Sequence, residues 1–169
     1  MIQVKAPAYP NNLDLTLTKI FLAGSIDMGQ AEKWQDRVCD GLRDYDVIIF
    51  NPRRDDWDSS WVQSIDNPQF LEQVSWELDR LEEADVIVVF FDPKGPAPIT
   101  LLELGMFLNR ISHTVMVCCP EGYWRKGNVD IVCARAGVPV FSSYDELMTA
   151  LKGAPELAGL SPGQHKSST

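Results

Sequence analysis

The chain has 169 residues, 45% of them hydrophobic, which suits one domain with its own core and no need for cross-links. Its formal net charge is −9, with 15 Lys and Arg against 24 Asp and Glu. That balance argues against nucleic-acid binding, whose electrostatic footprint is basic, and leaves room for a small neutral or cationic partner.

The N-terminal MIQVKAPAYP lacks the apolar core of a signal peptide. The first strand-like run is 19-KIFLAG-24, followed by a turn, 25-SIDMGQ-30. The segment 31-AEKWQDRVCDGL-42 sets Ala31, Trp34, Val38 and Leu42 on one helical face. A second strand, 46-DVIIF-50, leads into 51-NPRRDDWDSSWVQSIDNP-68, a polar stretch of functional length with two tryptophans. Helical spacing returns from Pro68 to Asp85, with Phe70, Val74, Leu78 and Leu81 apolar. The strand 85-DVIVVFFD-92 is apolar throughout its interior, as expected of a strand covered on both faces. The turn 93-PKGPAP-98 opens a helix that contains Glu103, with Pro98 near its start. A strand at 114-TVMVCC-119, the segment 120-PEGYWRKGN-128 and a helix from about Val129 to Ala136 follow. A short strand, 138-VPVF-141, and a helix, 144-YDELMTAL-151, capped by Ser142 or Ser143, complete the domain, residues 1–151. Residues 152–169 are Gly/Pro/Ser-rich and read as a loose tail.

The alternation of strands and helices predicts an α/β fold: a doubly wound, flavodoxin- or Rossmann-like open parallel sheet of five strands with helices on both faces. Ligands bind such sheets beyond the carboxyl ends of the strands. That directs attention to Gly24–Gln30, Asn51–Asp58, Asp92–Pro98 and Pro120–Asn128. The longest apolar run, 86-VIVVFF-91, is too short to cross a bilayer, so no membrane partner is expected. Cys39, Cys118, Cys119 and Cys133 form no C-x-x-C pair and read as reduced, buried thiols of a cytoplasmic protein. The histidines are His113 and His165, with no ligand-spaced cluster, so neither a metal nor a cofactor is expected.

Within 96-PAPITLLELGMFLN-109 the one charged side chain is Glu103, which shares a helical face with Ile99, Met106 and Phe107. An ionised carboxylate in such company is costly without partners. It is either a functional acid near the crevice or a residue on a solvated helix edge. Glu77 borders the apolar stripe of its own helix and could serve as a second acid, or belong to the charged surface of 77-ELDRLEEAD-85. Gly24 and Ser25 form a turn whose N–H groups could cradle an anion, although no dinucleotide or Walker motif is present and Asp27 would repel a phosphate; a hydroxyl-rich sugar fits the loop better, and it could equally be a plain βα turn. Asn51 and Arg53 stand at the mouth of the second strand as candidate substrate contacts. Arg53 and Arg54 could equally pair with Asp55 and Asp56. Trp57 and Trp61 could stack on a base or pin the loop. With no metal site and no nucleophile–histidine–acid set, carboxylates are left to carry any chemistry, and paired carboxylates are the tools of glycosyl transfer.

Four stretches in register, 21-FLAGSI-26, 51-NPRR-54, 76-WELDRLEEAD-85 and 98-PITLLELG-105, resemble the nucleoside 2-deoxyribosyltransferase family. The resemblance runs from about Lys19 to Asn128. It implies transfer of 2-deoxyribose between nucleobases by a ping-pong mechanism, with a nucleoside and a free base as small-molecule partners. It also implies that Glu103 is the nucleophile and that Glu77 is the acid near the leaving base. Gly24, Ser25 and Asp92 would line the pocket. Asn128 would be donated to a neighbouring subunit, which makes a homo-oligomer. Phe21 departs from relatives that carry a tyrosine there to orient the nucleophile. Relatives in the same superfamily are N-glycosidases acting on nucleoside 5′-monophosphates, and a non-catalytic nucleotide-sensing domain is a further alternative. Asp27 and the net negative charge argue mildly against a phosphorylated substrate.

Overall fold

A computed structural model describes residues 1–26 and 33–158. Asp27, the turn through Gln30 and Ala31 lie outside the described residues. Six strands form one sheet: β1 (Ile2–Lys5), β2 (Thr18–Gly24), β3 (Val47–Asn51), β4 (Val86–Phe90), β5 (Thr114–Cys118) and β6 (Val140–Phe141). Their order is β1-β3-β2-β4-β5-β6, and every pairing is parallel. The five anticipated strands are present, and β1 adds a sixth at the edge. Its four residues alternate too briefly to register as a run. It adds to β3 in parallel register, Ile2 opposite Ile48 and Lys5 opposite Asn51.

The helices are α1 (Trp34–Gly41), α2 (Pro68–Glu83), α3 (Pro98–Phe107), α4 (Lys126–Ala136) and α5 (Tyr144–Lys152). Strand alternation divides the core. Phe21, Ala23, Ile48, Phe50, Ile87, Val89 and Val117 pack with Trp76 and Leu81 of α2, Leu104 and Phe107 of α3, and Val129 and Cys133 of α4. Ile20, Leu22, Val47, Ile49, Val86, Val88 and Met116 pack with Trp34 and Val38 of α1 and with Leu147 and Leu151 of α5. Both faces are covered, which explains why β3 and β4 are buried along their whole length.

Local signals set the helix ends. Asn67 caps α2, its side chain accepting from the N–H groups of Gln69 (3.1 Å) and Phe70 (3.3 Å), with Pro68 at the first position. Ser143 caps α5 by accepting from the Glu146 N–H. Gly137, at φ 70°, closes α4 in the left-handed conformation. α4 begins at Lys126 rather than Val129, and a Lys126–Asp130 ion pair one turn apart spans its first turn. The chain also remains packed beyond Lys152. A 3-10 turn at Pro155–Leu157 buries Leu157, the Glu156 carbonyl accepts from the Thr18 hydroxyl, and the Glu156 carboxylate bonds Thr114. The looseness expected from residue 152 therefore does not hold through residue 158.

Setting β1 aside, the strand order has the flavodoxin-like pattern, with the chain reversing direction of travel between β2 and β4. The ligand crevice of this arrangement opens at the carboxyl ends of those two strands.

Candidate active site

Gly24 ends β2 where it runs against β4. A Cβ on Gly24 would lie 2.5 Å from the Phe90 carbonyl oxygen and 2.7 Å from Trp34 Cζ2. Only glycine fits so close an approach. The next residue crosses the gap: the Ser25 N–H donates to the Phe90 carbonyl, and Ser25 Oγ accepts from the Asp92 N–H at 3.0 Å. The Trp34 indole N–H donates to the Ser25 carbonyl at 3.2 Å. Gly24, Ser25 and Asp92 thus form one cluster at the switch point, with Ser25 and Asp92 both buried.

A second group is built on the turn after β3. Asn51 Oδ1 accepts from the Arg53 N–H, and Arg53 Nε donates to Gln35 Oε1 of α1. The Pro52 carbonyl accepts from Gln73 Nε2 at 2.9 Å, and the same amide nitrogen donates to Glu77 Oε1 at 2.8 Å. The Asn51-Pro52-Arg53 turn is therefore wired to Glu77 through one glutamine. Gln35, Asn51 and Gln73 are buried, yet Gln35 Nε2, Asn51 Nδ2 and Gln73 Oε1 have no partner among the described residues. Unpaired buried amides in a native core call for an explanation, and a bound ligand's polar edge is one. Gln35 and Gln73 are absent from the sequence-based candidates. The legible signal for Gln73 was its position four residues before Glu77, on the same helix face.

Glu103 sits on α3 between two faces. Thr100, Leu104 and Phe107 are buried against the sheet. Ile99, Leu102 and Met106 face outward at 58%, 60% and 42% exposure. Of the neighbours anticipated for Glu103, Phe107 lies in the core, while Ile99 and Met106 turn to the surface. Glu103 itself is half-buried and makes no hydrogen bond among the described residues. The loop before α3 is constrained. Ala97 adopts a left-handed φ of 42°, uncommon for a residue with a Cβ, and the Pro96 carbonyl accepts from both Tyr123 Oη (2.8 Å) and Trp124 Nε1 (3.1 Å). Phe21 is fully buried, 6.3 Å from Trp76 by ring centroids, and so belongs to the core beneath α2.

The electrostatics join the two acids. Burial pushes the Glu77 carboxyl up to about 7, partly opposed by the N–H that Gln73 donates. Burial pushes Glu103 up to about 8, and the negative charge of Glu77 adds to the rise. Glu103 therefore lies within the field of Glu77, and the two carboxyls titrate as a coupled pair. Two carboxyls whose proton affinities depend on each other are the tools that nucleophilic attack and leaving-group protonation use.

The family described as nucleoside 2-deoxyribosyltransferase like matches residues 17–123, more than half of the chain. The chain belongs to this family. The matched span covers β2 through the end of β5 and so contains Ser25, Asn51, Arg53, Glu77, Asp92 and Glu103. No curated protein matches the chain significantly. Among solved structures it is similar to a conserved protein from Enterococcus faecalis V583, with a TM-score of 0.56 at 14% identity over 81% of this chain and 98% of that one. At that identity the likeness speaks for the fold alone.

Within this family member the remaining candidates separate. Arg54 is spent on structure: Nε pairs with Asp56, Nη1 with Glu72, and its guanidinium lies over Trp61. Trp57 and Trp61 pack edge to face at 5.1 Å, so they contact each other. Asp55 pairs with Lys5 at 2.8 Å. Burial lowers the proton affinity of Arg53 while Asp36 supports its charge. Asn128 is exposed on the first turn of α4. The four cysteine thiols are buried and pushed up to about 11 or 12, which leaves them unreactive at neutral pH. No cluster of metal-ligating side chains and no helix long and apolar enough to cross a membrane occur among the described residues.

Proposed function

We propose that this chain is a nucleoside 2-deoxyribosyltransferase that moves 2-deoxyribose from one nucleobase to another through a glycosyl ester on Glu103. What supports this reading is the pair Glu77 on α2 and Glu103 on α3, near enough for the charge of Glu77 to act on Glu103 and both held at raised proton affinity. With the proton of the pair moved to Glu77, Glu103, as carboxylate, attacks C1′ of the bound deoxynucleoside. The bond from C1′ to the base nitrogen breaks, and Glu77 delivers its proton to that nitrogen. A second base then attacks C1′ with its own nitrogen, the ester bond to Glu103 breaks, and Glu77 takes the surplus proton back. The orphaned amides of Asn51, Gln35 and Gln73 supply donors and an acceptor for the polar edges of sugar and base.

The self-association that completes the site belongs to the same proposal. Asn128, Ile131 and Val132 share an exposed face of α4, with Ile131 at 71% and Val132 at 47% exposure, and Trp124 stands beside it. α3 adds Ile99, Leu102 and Met106. Exposed apolar side chains on two helices, with an asparagine among them, fit a contact through which Asn128 reaches a neighbour's crevice.

The test is an exchange assay. Incubation with deoxyadenosine and free cytosine, followed by chromatography, is expected to yield deoxycytidine and adenine. Free adenine and deoxyribose with no new nucleoside would make the protein a hydrolase instead. Binding without turnover would make it a sensor.

A further inference from the structure

Gln73 is buried in the middle of α2, and neither of its amide hydrogens is free. One goes to the Pro52 carbonyl and the other to Glu77 Oε1. A carbonyl oxygen can only accept, so Pro52 fixes which end of the amide is nitrogen; a flipped amide would set two oxygens against each other. The nitrogen in turn marks Glu77 Oε1 as an acceptor. We propose that Gln73 is a positioning residue that keeps the transferable proton of Glu77 on Oε2, and that the turn after β3 enforces this through the Pro52 carbonyl. The inference rests on the transferase reading for its role in turnover, although the proton placement itself does not.

The chemical consequence follows from where charge develops. As the Oε2–H bond breaks and the proton joins the leaving nitrogen, negative charge spreads over both oxygens of Glu77. The N–H on Oε1 then becomes a charge-assisted bond, stronger in the transition state than before it. The ionisable group coupled to this carboxyl is Glu103 from α3, and burial disfavours the charge that forms. Gln73 offsets that penalty. Its own Oε1 has no partner among the described residues, so the amide is held by its nitrogen alone.

Two variants test the assignment. Gln73→Met keeps the length of the side chain and removes both N–H groups. Gln73→Asn keeps the amide but falls one methylene short of Glu77, and guards against a folding failure in the first. The first readout is a carbon NMR titration of the Glu77 side-chain carboxyl, assigned with Glu77→Gln. The midpoint, about 7 in the native chain, is expected to rise in both variants, because the lost donor favours the carboxylate. The second readout compares leaving groups. Natural deoxynucleosides, which need protonation, should lose about ten-fold or more in kcat/KM. A p-nitrophenyl 2-deoxyriboside, whose nitrophenolate departs unaided, should be nearly unaffected. An unmoved midpoint in both variants, or equal losses on both substrates, would overturn the proposal. Because the titration needs no turnover, a raised midpoint in a protein that fails the exchange assay would sustain the proton placement and remove only the transferase reading.

Discussion

At the scale of single residues, burial of the two glutamates costs stability once they ionise. Each has a folded-state proton affinity (about 7 and about 8) above its ordinary 4.5. Between those limits the folded chain binds more protons than the unfolded one. Stability from this pair is therefore full below about pH 4.5, falls as pH rises through 7 and 8, and is flat above. Glu103→Gln removes the charge without changing shape. It is expected to be more stable than the native chain at pH 9 by on the order of 2 kcal/mol, with little difference at pH 4.5, and to lack transfer activity. Urea denaturation at the two pH values measures this, and equal gains at both would refute the burial argument. Glu103 was legible because it is the one charge in an apolar helix. Gln73 and Gln35 were not, because an uncharged amide carries no signal of burial until its neighbours across the fold are known.

Elements were easier to read than their contacts. β2 through β6 and all five helices follow from apolar runs, caps and helical spacing, since each is encoded within a dozen consecutive residues. The edge strand β1 is not, because four residues of Ile-Gln-Val-Lys become a strand only when β3 offers them a ladder. Similarly, Gly24 read as a turn residue and a candidate substrate contact, whereas its surroundings show a second requirement. The carboxyl ends of β2 and β4 can close on each other, and on Trp34, only if no Cβ intervenes. Gly24→Ala should therefore cost about 3 kcal/mol by forcing apart strand ends that cannot yield like a flexible side chain. Unfolding by urea gives the number. A loss under about 0.5 kcal/mol, the range of ordinary surface substitutions, would mean that the crevice floor is softer than its geometry implies.

For the whole molecule, the fold sets Gly24, Asn51 and Asp92 at or just beyond the carboxyl ends of β2, β3 and β4 and leaves apolar side chains outward on α3 and α4. Sheet order sets the ends of β3, β2 and β4 side by side, which explains why the motifs could be found in sequence while their contacts could not. If copies associate through Leu102 and Ile131, Leu102→Asp should yield monomers by sedimentation and lose activity with the crevice acids intact. Coexpressed Glu103→Ala and Asn128→Ala chains should then recover activity in mixed dimers, up to about a quarter of native, because one site in each hybrid holds both native residues. No recovery would place each site within a single chain. The most direct test of the double displacement is to trap its intermediate. A 2-fluoro-2-deoxyarabinosyl nucleoside slows breakdown of the ester, and rapid quenching with peptide mass spectrometry should find the sugar on the peptide that contains Glu103, released when a second base is added. Turnover with no adduct on that peptide, or an adduct on another residue, would contradict the account.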